Sequence, residues 1–398
     1  MPAPHDITVT VDSHLDLSDS SLFIFSMGLR PQRTWALLTV VVGVCSIILA
    51  LLMTSEDTNN TMSAAPPLPS PLARTILKLR PVSSGIPKQV KVTRWGSPLE
   101  TARHVVFYFG GMPASAEEPA MHSSTTEDVY ASRNIHLVAV DKPGMGESSV
   151  AYRFSLRRDW PQIISMVADE LKIEQKYAVI GMSNGGPYVM SCLTHPELKH
   201  RVKAGSMVVG VSDVWASGYF SWRNPSCFVE GIYNSLPIIV TGPLNALGLS
   251  LGKIYVMSFG GFESVFGDTV PKEAKPVFKR LLSDGAANFG LGSAIDCQQG
   301  LSPFYARPTS NTSPDTVNQA ATEAYKSIQV PVSLWYGTKD SSVPMASAEW
   351  LQDLVPNSSL HKVDSDHGLF FRHTEQVLDD LVERMEEADR MDSSSNAQ

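Results

Sequence analysis

Residues 176–195 read KYAVIGMSNGGPYVMSCLTH. The opening run is short and apolar, the closing PYVMSCLTH has helical spacing, and Gly181-Met182-Ser183-Asn184-Gly185 lies between them. This is G-x-S-x-G at a passage from strand to helix. A turn that tight has no room for side chains beside the serine, so glycines flank it, and Ser183 is expected to raise its hydroxyl above the sheet edge as a nucleophile. The N-terminus of the following helix favours negative charge developing there. The bland alternative is a glycine-rich turn before a helix; the strand–turn–helix context favours the nucleophile.

On either side of this segment, the chain alternates short apolar runs with helical stretches. The runs are QVKVTRW (89–95), HVVFYFGG (104–111), IHLVAVDKPG (135–144), VKAGSMVVGVSD (202–213), VPVSLWYGTKD (330–340) and SLHKVDSDHG (359–368), with helices expected at 157–172 and 184–195. Continuously apolar strands separated by helices imply an α/β fold: a mostly parallel central sheet covered on both faces. Functional residues on such sheets stand just after each strand.

A serine nucleophile needs a base and a group that orients the base. Asp340 follows the run ending at Gly337, and His367 follows the run ending at Val363, so the order is Ser183, Asp340, His367. His361 falls within a strand and His373 within the last helix, leaving His367 in the strand-end loop. Asp213 and Asp366 are rival acids; Asp340 is preferred. After HVVFY come Phe109-Gly110-Gly111-Met112-Pro113, whose backbone N–H groups, chiefly Met112 with Gly111, join that of Asn184 as candidate donors to the oxyanion of a tetrahedral intermediate. The loop Asp141-Lys142-Pro143-Gly144-Met145-Gly146-Glu147-Ser148 lies beside the same sheet edge. A purely structural turn and a direct catalytic role are equally open there.

On these five segments, from about residue 89 to 388, the chain resembles the α/β-hydrolase fold superfamily, in the branch with a helical cap that includes esterases and proline iminopeptidases. The resemblance implies acylation of Ser183 by an ester or amide and hydrolysis by water activated by His367, with no metal and no organic cofactor. Serine at 183 disfavours the epoxide hydrolases and haloalkane dehalogenases of this fold, which carry aspartate there. Family members often have His-Gly in the first loop where this chain has Gly110-Gly111.

The 398 residues are only 18% charged and 43% hydrophobic. Much of the deficit is in TWALLTVVVGVCSIILALLM (34–53), twenty residues without charge or proline, long enough as a helix to cross the roughly 30 Å of a bilayer core. Arg30 and Arg33 precede it and Glu56 and Asp57 follow, so positive-inside counting predicts a signal anchor with a cytoplasmic N-terminus and a lumenal or extracellular catalytic domain. Sequons at Asn59, Asn311 and Asn357 agree with that compartment and make this a candidate glycoprotein. The organisation expected is a tail (1–33), the span (34–53), a polar then Pro-rich stalk (54–80), the first part of the core (81–213), a cap (214–328), the second part of the core (329–390) and a disordered tail (391–398). The formal charge is −8, with no basic run to track a phosphate backbone, which argues against nucleic acid as a partner.

In the cap, residues 235–252 (SLPIIVTGPLNALGLSLG) are uncharged. A second span there would separate Ser183 from Asp340 and His367 across the membrane, and Pro237 and Pro243 would break the helix, so it is rejected. Two readings remain: an apolar wall for an acyl group or a lipid-like substrate, and ordinary lid packing. Cys227 and Cys297 are candidates for a disulfide in a lumenal compartment, Cys192 reads as a small buried hydrophobe, and Cys45 lies in the span. The leading function is a membrane-anchored serine hydrolase acting on an ester. A proline iminopeptidase-like aminopeptidase would use cap acids such as Glu230, Glu263 or Asp268 to hold an amine. A catalytically silent hydrolase-fold binding module is the third reading.

Overall fold

Eight strands form one sheet: β1 (Ala73–Lys78), β2 (Gln89–Gly96), β3 (His104–Phe109), β4 (Ile135–Val140), β5 (Tyr177–Met182), β6 (Val202–Val208), β7 (Val332–Gly337) and β8 (Ser358–Val363). The computed structural model describes residues 70–80, 83–122, 128–212, 237–258, 274–300, 314–340 and 342–395, all within the unit spanning 63–398. The strand order is β1-β2-β4-β3-β5-β6-β7-β8. β2 pairs antiparallel with both β1 and β4, and every other neighbouring pair is parallel. The inner strands β3, β4, β5 and β7 are buried at every position, which is why they read as unbroken apolar runs rather than alternating ones.

Side chains alternate between two cores. On one face Val105, Phe107, Phe109 and Val179 pack under α1 (Leu156–Glu170) and α2 (Gly186–Thr194). Trp160 of α1 meets Phe109 and Tyr188 edge-on at ring centroids of 5.2 and 4.8 Å, contacts that contribute about 0.5–1.5 kcal/mol each beyond area burial. On the other face Val106, Tyr108, Leu137 and Ile180 pack with Leu378 and Leu381 of the long α8 (Leu369–Ser395). Between β6 and β7 the described residues form four helices: α3 (Ile238–Ser258), α4 (Lys275–Ala286), α5 (Leu291–Gly300) and α6 (Pro314–Lys326). α7 (Met345–Leu354) links β7 to β8.

Three expected boundaries move. The stretch read as stalk to residue 80 contains β1, a half-buried edge strand with Ile76 exposed; its alternation carries too little apolar signal to separate it from the Pro-rich segment before it. Residues 314–328, read as the end of the cap, belong to the core: Ala321, Tyr325 and Ile328 are buried in the first cluster and Tyr325 sits edge-on to Trp350 of α7. The C-terminal segment read as disordered from 391 continues α8 to Ser395, with Lys203 of β6 paired to Asp389 and Lys176 to Asp392.

The span 34–53, the preceding tail, Asn59, Asn311, Cys227, Asp213, Glu230, Glu263 and Asp268 lie outside the described residues. Among the described residues no helix is long and apolar enough to cross a membrane, α3 included. Asn357 stands exposed at the start of β8, its amide donating to the Gln329 carbonyl at 2.6 Å.

Candidate active site

The site is built where β5 stops. Ser183 takes a left-handed φ of +50°, rare for a residue with a Cβ and costly unless its surroundings impose it. They do. A Cβ on Gly181 would lie 2.4 Å from the Gly185 carbonyl oxygen, and one on Gly185 would lie 2.0 Å from that of Phe109, so only glycine lets β5, the turn and β3 approach this closely. The Ser183 carbonyl accepts the Val211 N–H at 2.9 Å, fixing the turn from the far side.

His367 and Asp340 reach this point from the loops after β8 and β7. His367 Nε2 lies 2.9 Å from Ser183 Oγ and Nδ1 lies 2.8 Å from Asp340 Oδ2. The aspartate side chain is fully buried, and its other oxygen accepts the Ser342 and Val343 N–H groups at 2.7 and 3.1 Å. A buried carboxylate so held selects the tautomer with hydrogen on Nδ1, leaving Nε2 free to take a proton from the serine. The rivals point elsewhere: Asp366 faces the Gly368 N–H and Arg372, His361 stacks on Trp335, and His373 meets Gln376 on the surface.

Of the three candidate oxyanion donors, one is corrected. Gly111 N–H donates to the buried Glu118 carboxylate at 3.1 Å and is not available to substrate. Met112 N–H makes no hydrogen bond among the described residues, and Asn184 is the second residue of the 3₁₀ turn Ser183–Gly185, where first-turn N–H groups have no partner within the turn. Glu118 itself was not anticipated. It also accepts from Tyr108 Oη at 2.6 Å, and burial holds its carboxyl above the usual range. Nothing in Ala116-Glu117-Glu118-Pro119 distinguishes it from Glu117, which faces away toward Arg74 and Lys91. Cys297 is buried on α5 with its sulfur against that of Met112. Cys192 is buried on α2, its thiol pushed up by burial.

The loop at 141–148 proves to be the seat of the cap. Gly146 N–H donates to the Asp284 carbonyl at 3.0 Å, Asn288 Nδ2 to the Gly144 carbonyl at 3.0 Å, and Lys142 Nζ to Asp296 Oδ2 at 3.0 Å.

Comparison with solved structures agrees with this architecture. The chain is similar to a bromoperoxidase from Bacillus anthracis, with 16% identity, 79% of this chain and 100% of that chain covered and a TM-score of 0.52. It is likewise similar to an esterase from Exiguobacterium antarcticum, with 19% identity, 75% and 96% covered and a TM-score of 0.50. A scan of protein-family models finds no match, nor does a search of curated protein sequences. Strand order, the serine turn and these likenesses define the class: the chain has the α/β-hydrolase fold, with a helical insert between β6 and β7.

Proposed function

We propose that this chain is a membrane-anchored serine hydrolase that cleaves a carboxylic ester through an acyl-enzyme on Ser183. The observation that carries the reading is the continuous hydrogen-bonded line Ser183 Oγ, His367 imidazole, Asp340 carboxylate at the strand ends. Ser183 Oγ attacks the ester carbonyl carbon while its proton passes to His367 Nε2. The resulting oxyanion takes hydrogen bonds from Met112 N–H and Asn184 N–H. Collapse expels the alcohol, which leaves with the proton from His367. Water then gives a proton to the same nitrogen and attacks the acyl carbon; the bond from that carbon to Ser183 Oγ breaks, Oγ takes the proton back from His367, and the acid departs. The apolar α3 supports a hydrophobic acyl group as the part of the substrate under the cap. A line of this geometry speaks against a silent binding module, which has no need of it.

The reading includes the anchor at 34–53, with the N-terminus cytoplasmic, the catalytic domain lumenal or extracellular, and glycans on its sequons. The chemistry is tested by fluorophosphonate labelling of the full chain and of Ser183→Ala: label on the wild type alone supports the nucleophile, and equal labelling of both sinks it. Esters of rising acyl length compared with prolyl and other aminoacyl amides separate esterase from aminopeptidase; turnover of the amides alone overturns the ester assignment. An electrophoretic shift on endoglycosidase treatment is expected, and no shift at any sequon removes the lumenal placement.

A further inference from the structure

Among the described residues, Lys142 is the lysine whose ammonium sits directly behind the oxyanion loop. Its side chain is 2% exposed and its carboxylate partner Asp296, on cap helix α5, is 1% exposed. The three protons of Nζ have three acceptors: Asp296 Oδ2 at 3.0 Å, the Gly111 carbonyl at 3.1 Å and the Asn184 carbonyl at 3.4 Å. The ammonium also lies 4.4 Å from the centre of the Tyr188 ring, and the Tyr188 hydroxyl donates to the other oxygen of Asp296 at 2.7 Å. The Asn184 side-chain amide donates to the Asp296 carbonyl at 3.3 Å, a further tie between α5 and the residue after the nucleophile.

The consequence follows from the peptide plane. In a trans peptide the C=O of one residue and the N–H of the next point in opposite directions. Lys142 draws the Gly111 carbonyl toward itself, so the Met112 N–H is turned away from Lys142. The Ser183 carbonyl is drawn to Val211 N–H, and Asn184 N–H is turned away from Val211 in the same manner. Each candidate oxyanion donor is thus aimed by whatever grips the back of its peptide. For Asn184 the grip is backbone. For Met112 it is a side chain whose direct ion pair is with the cap; Glu118, the other nearby carboxylate, bonds the Gly111 N–H and Tyr108 instead.

We propose that Lys142 is a positioning residue for the oxyanion donor Met112 and that Asp296 is the counter-ion that lets it act, so that the helical insert completes the catalytic core as well as covering it. The inference rests on the hydrolase reading above. A charge buried without its partner is strongly disfavoured, so Asp296 holds Lys142 in the position from which it orients the peptide. A pair that serves folding alone has no need to grip two carbonyls of the oxyanion loop and elbow.

The test uses the full-length chain, with phosphonylation of Ser183 by a fluorophosphonate and hydrolysis of 4-nitrophenyl acetate as readouts. Lys142→Met strands a buried carboxylate and is prone to misfold, so the double variant Lys142→Met/Asp296→Leu, which removes both charges together, carries the argument. The double variant also leaves the Tyr188 hydroxyl without its acceptor and is expected to be less stable by about 1–3 kcal/mol, yet, assayed well below its melting temperature, to lose about 10- to 100-fold in kcat, with KM little changed and the phosphonylation rate falling in parallel. A folded double variant with undiminished kcat and labelling rate overturns the inference while leaving the hydrolase reading intact. A wild type that neither labels nor hydrolyses overturns both.

Discussion

Gly111 donates its N–H to Glu118 at 3.1 Å, so the loop beside Ser183 is pinned to a buried carboxylate. Glu118→Ala would leave the Gly111 N–H without an acceptor, a loss of about 1–3 kcal/mol, and the Tyr108 hydroxyl with only its longer contact to His122 Nε2 at 3.4 Å. Glu118→Gln keeps a carbonyl in the same place. Urea unfolding of the two variants is expected to show the alanine clearly destabilised and the glutamine close to wild type. Equal stability of both would show that this carboxylate is not what holds the loop.

Asp340 accepts two backbone N–H groups on one oxygen and His367 on the other. In Asp340→Asn the new amide can turn a donor toward His367 and stabilise the wrong tautomer. On the hydrolase reading kcat falls by about 10³- to 10⁴-fold while the urea midpoint moves little. Steady-state ester kinetics on a variant of normal circular dichroism checks this; a loss under tenfold would argue that another acid orients the histidine.

Two glycines make a matched pair. Gly185→Ala forces a Cβ to within 2.0 Å of a backbone oxygen in β3, which cannot yield without disturbing the sheet, and an overpacking loss of about 3 kcal/mol or more is expected. Gly248→Ala, inside α3 with nothing within 4 Å of the new methyl, should instead gain about 0.5–1 kcal/mol from helix propensity. Thermal melts of both report the signs directly.

Burial holds His122 neutral, with its pKa lowered from 6.5 to about 3, while Nδ1 bonds the Tyr130 hydroxyl at 2.7 Å. Between those two values the unfolded chain binds a proton that the folded chain does not, so this residue's contribution is present above pH 6.5 and is lost as pH falls toward 3, by at most about 1.4 kcal/mol per pH unit. Asp141 acts oppositely. Burial raises its pKa from 3.8 to about 7, so the folded chain holds the extra proton and stability from this group falls as pH rises across that window. The two are separated by His122→Gln, which keeps a partner for Tyr130: its urea midpoint, relative to wild type, should be nearly constant from pH 7.5 to about 7 and then improve progressively as pH falls through 6.5 to 5. A constant difference across that range would contradict a neutral buried histidine.

Seven of the eight strands are legible in the residues alone: five are buried at every position and so read as unbroken apolar runs, while β2 and the partly exposed β8 show themselves by short β-branched or apolar stretches ended by turn residues. Ser183, Asp340 and His367 are legible at strand ends for a related reason: the serine turn needs glycines at fixed spacing and the other two follow apolar runs. Edge strand β1 and core helix α6 are not. The strand carries little apolar signal, and the helix resembles any amphipathic helix until its neighbour is known. Tertiary structure was needed to learn that Glu118 rather than Glu117 turns to the oxyanion loop, that Gly111 is thereby occupied, and that Lys142 meets Asp296 across 154 residues of chain. Periodicity and turn chemistry are properties of neighbouring residues. The partner of a buried charge is whatever the fold brings within hydrogen-bond distance, and no local pattern encodes it.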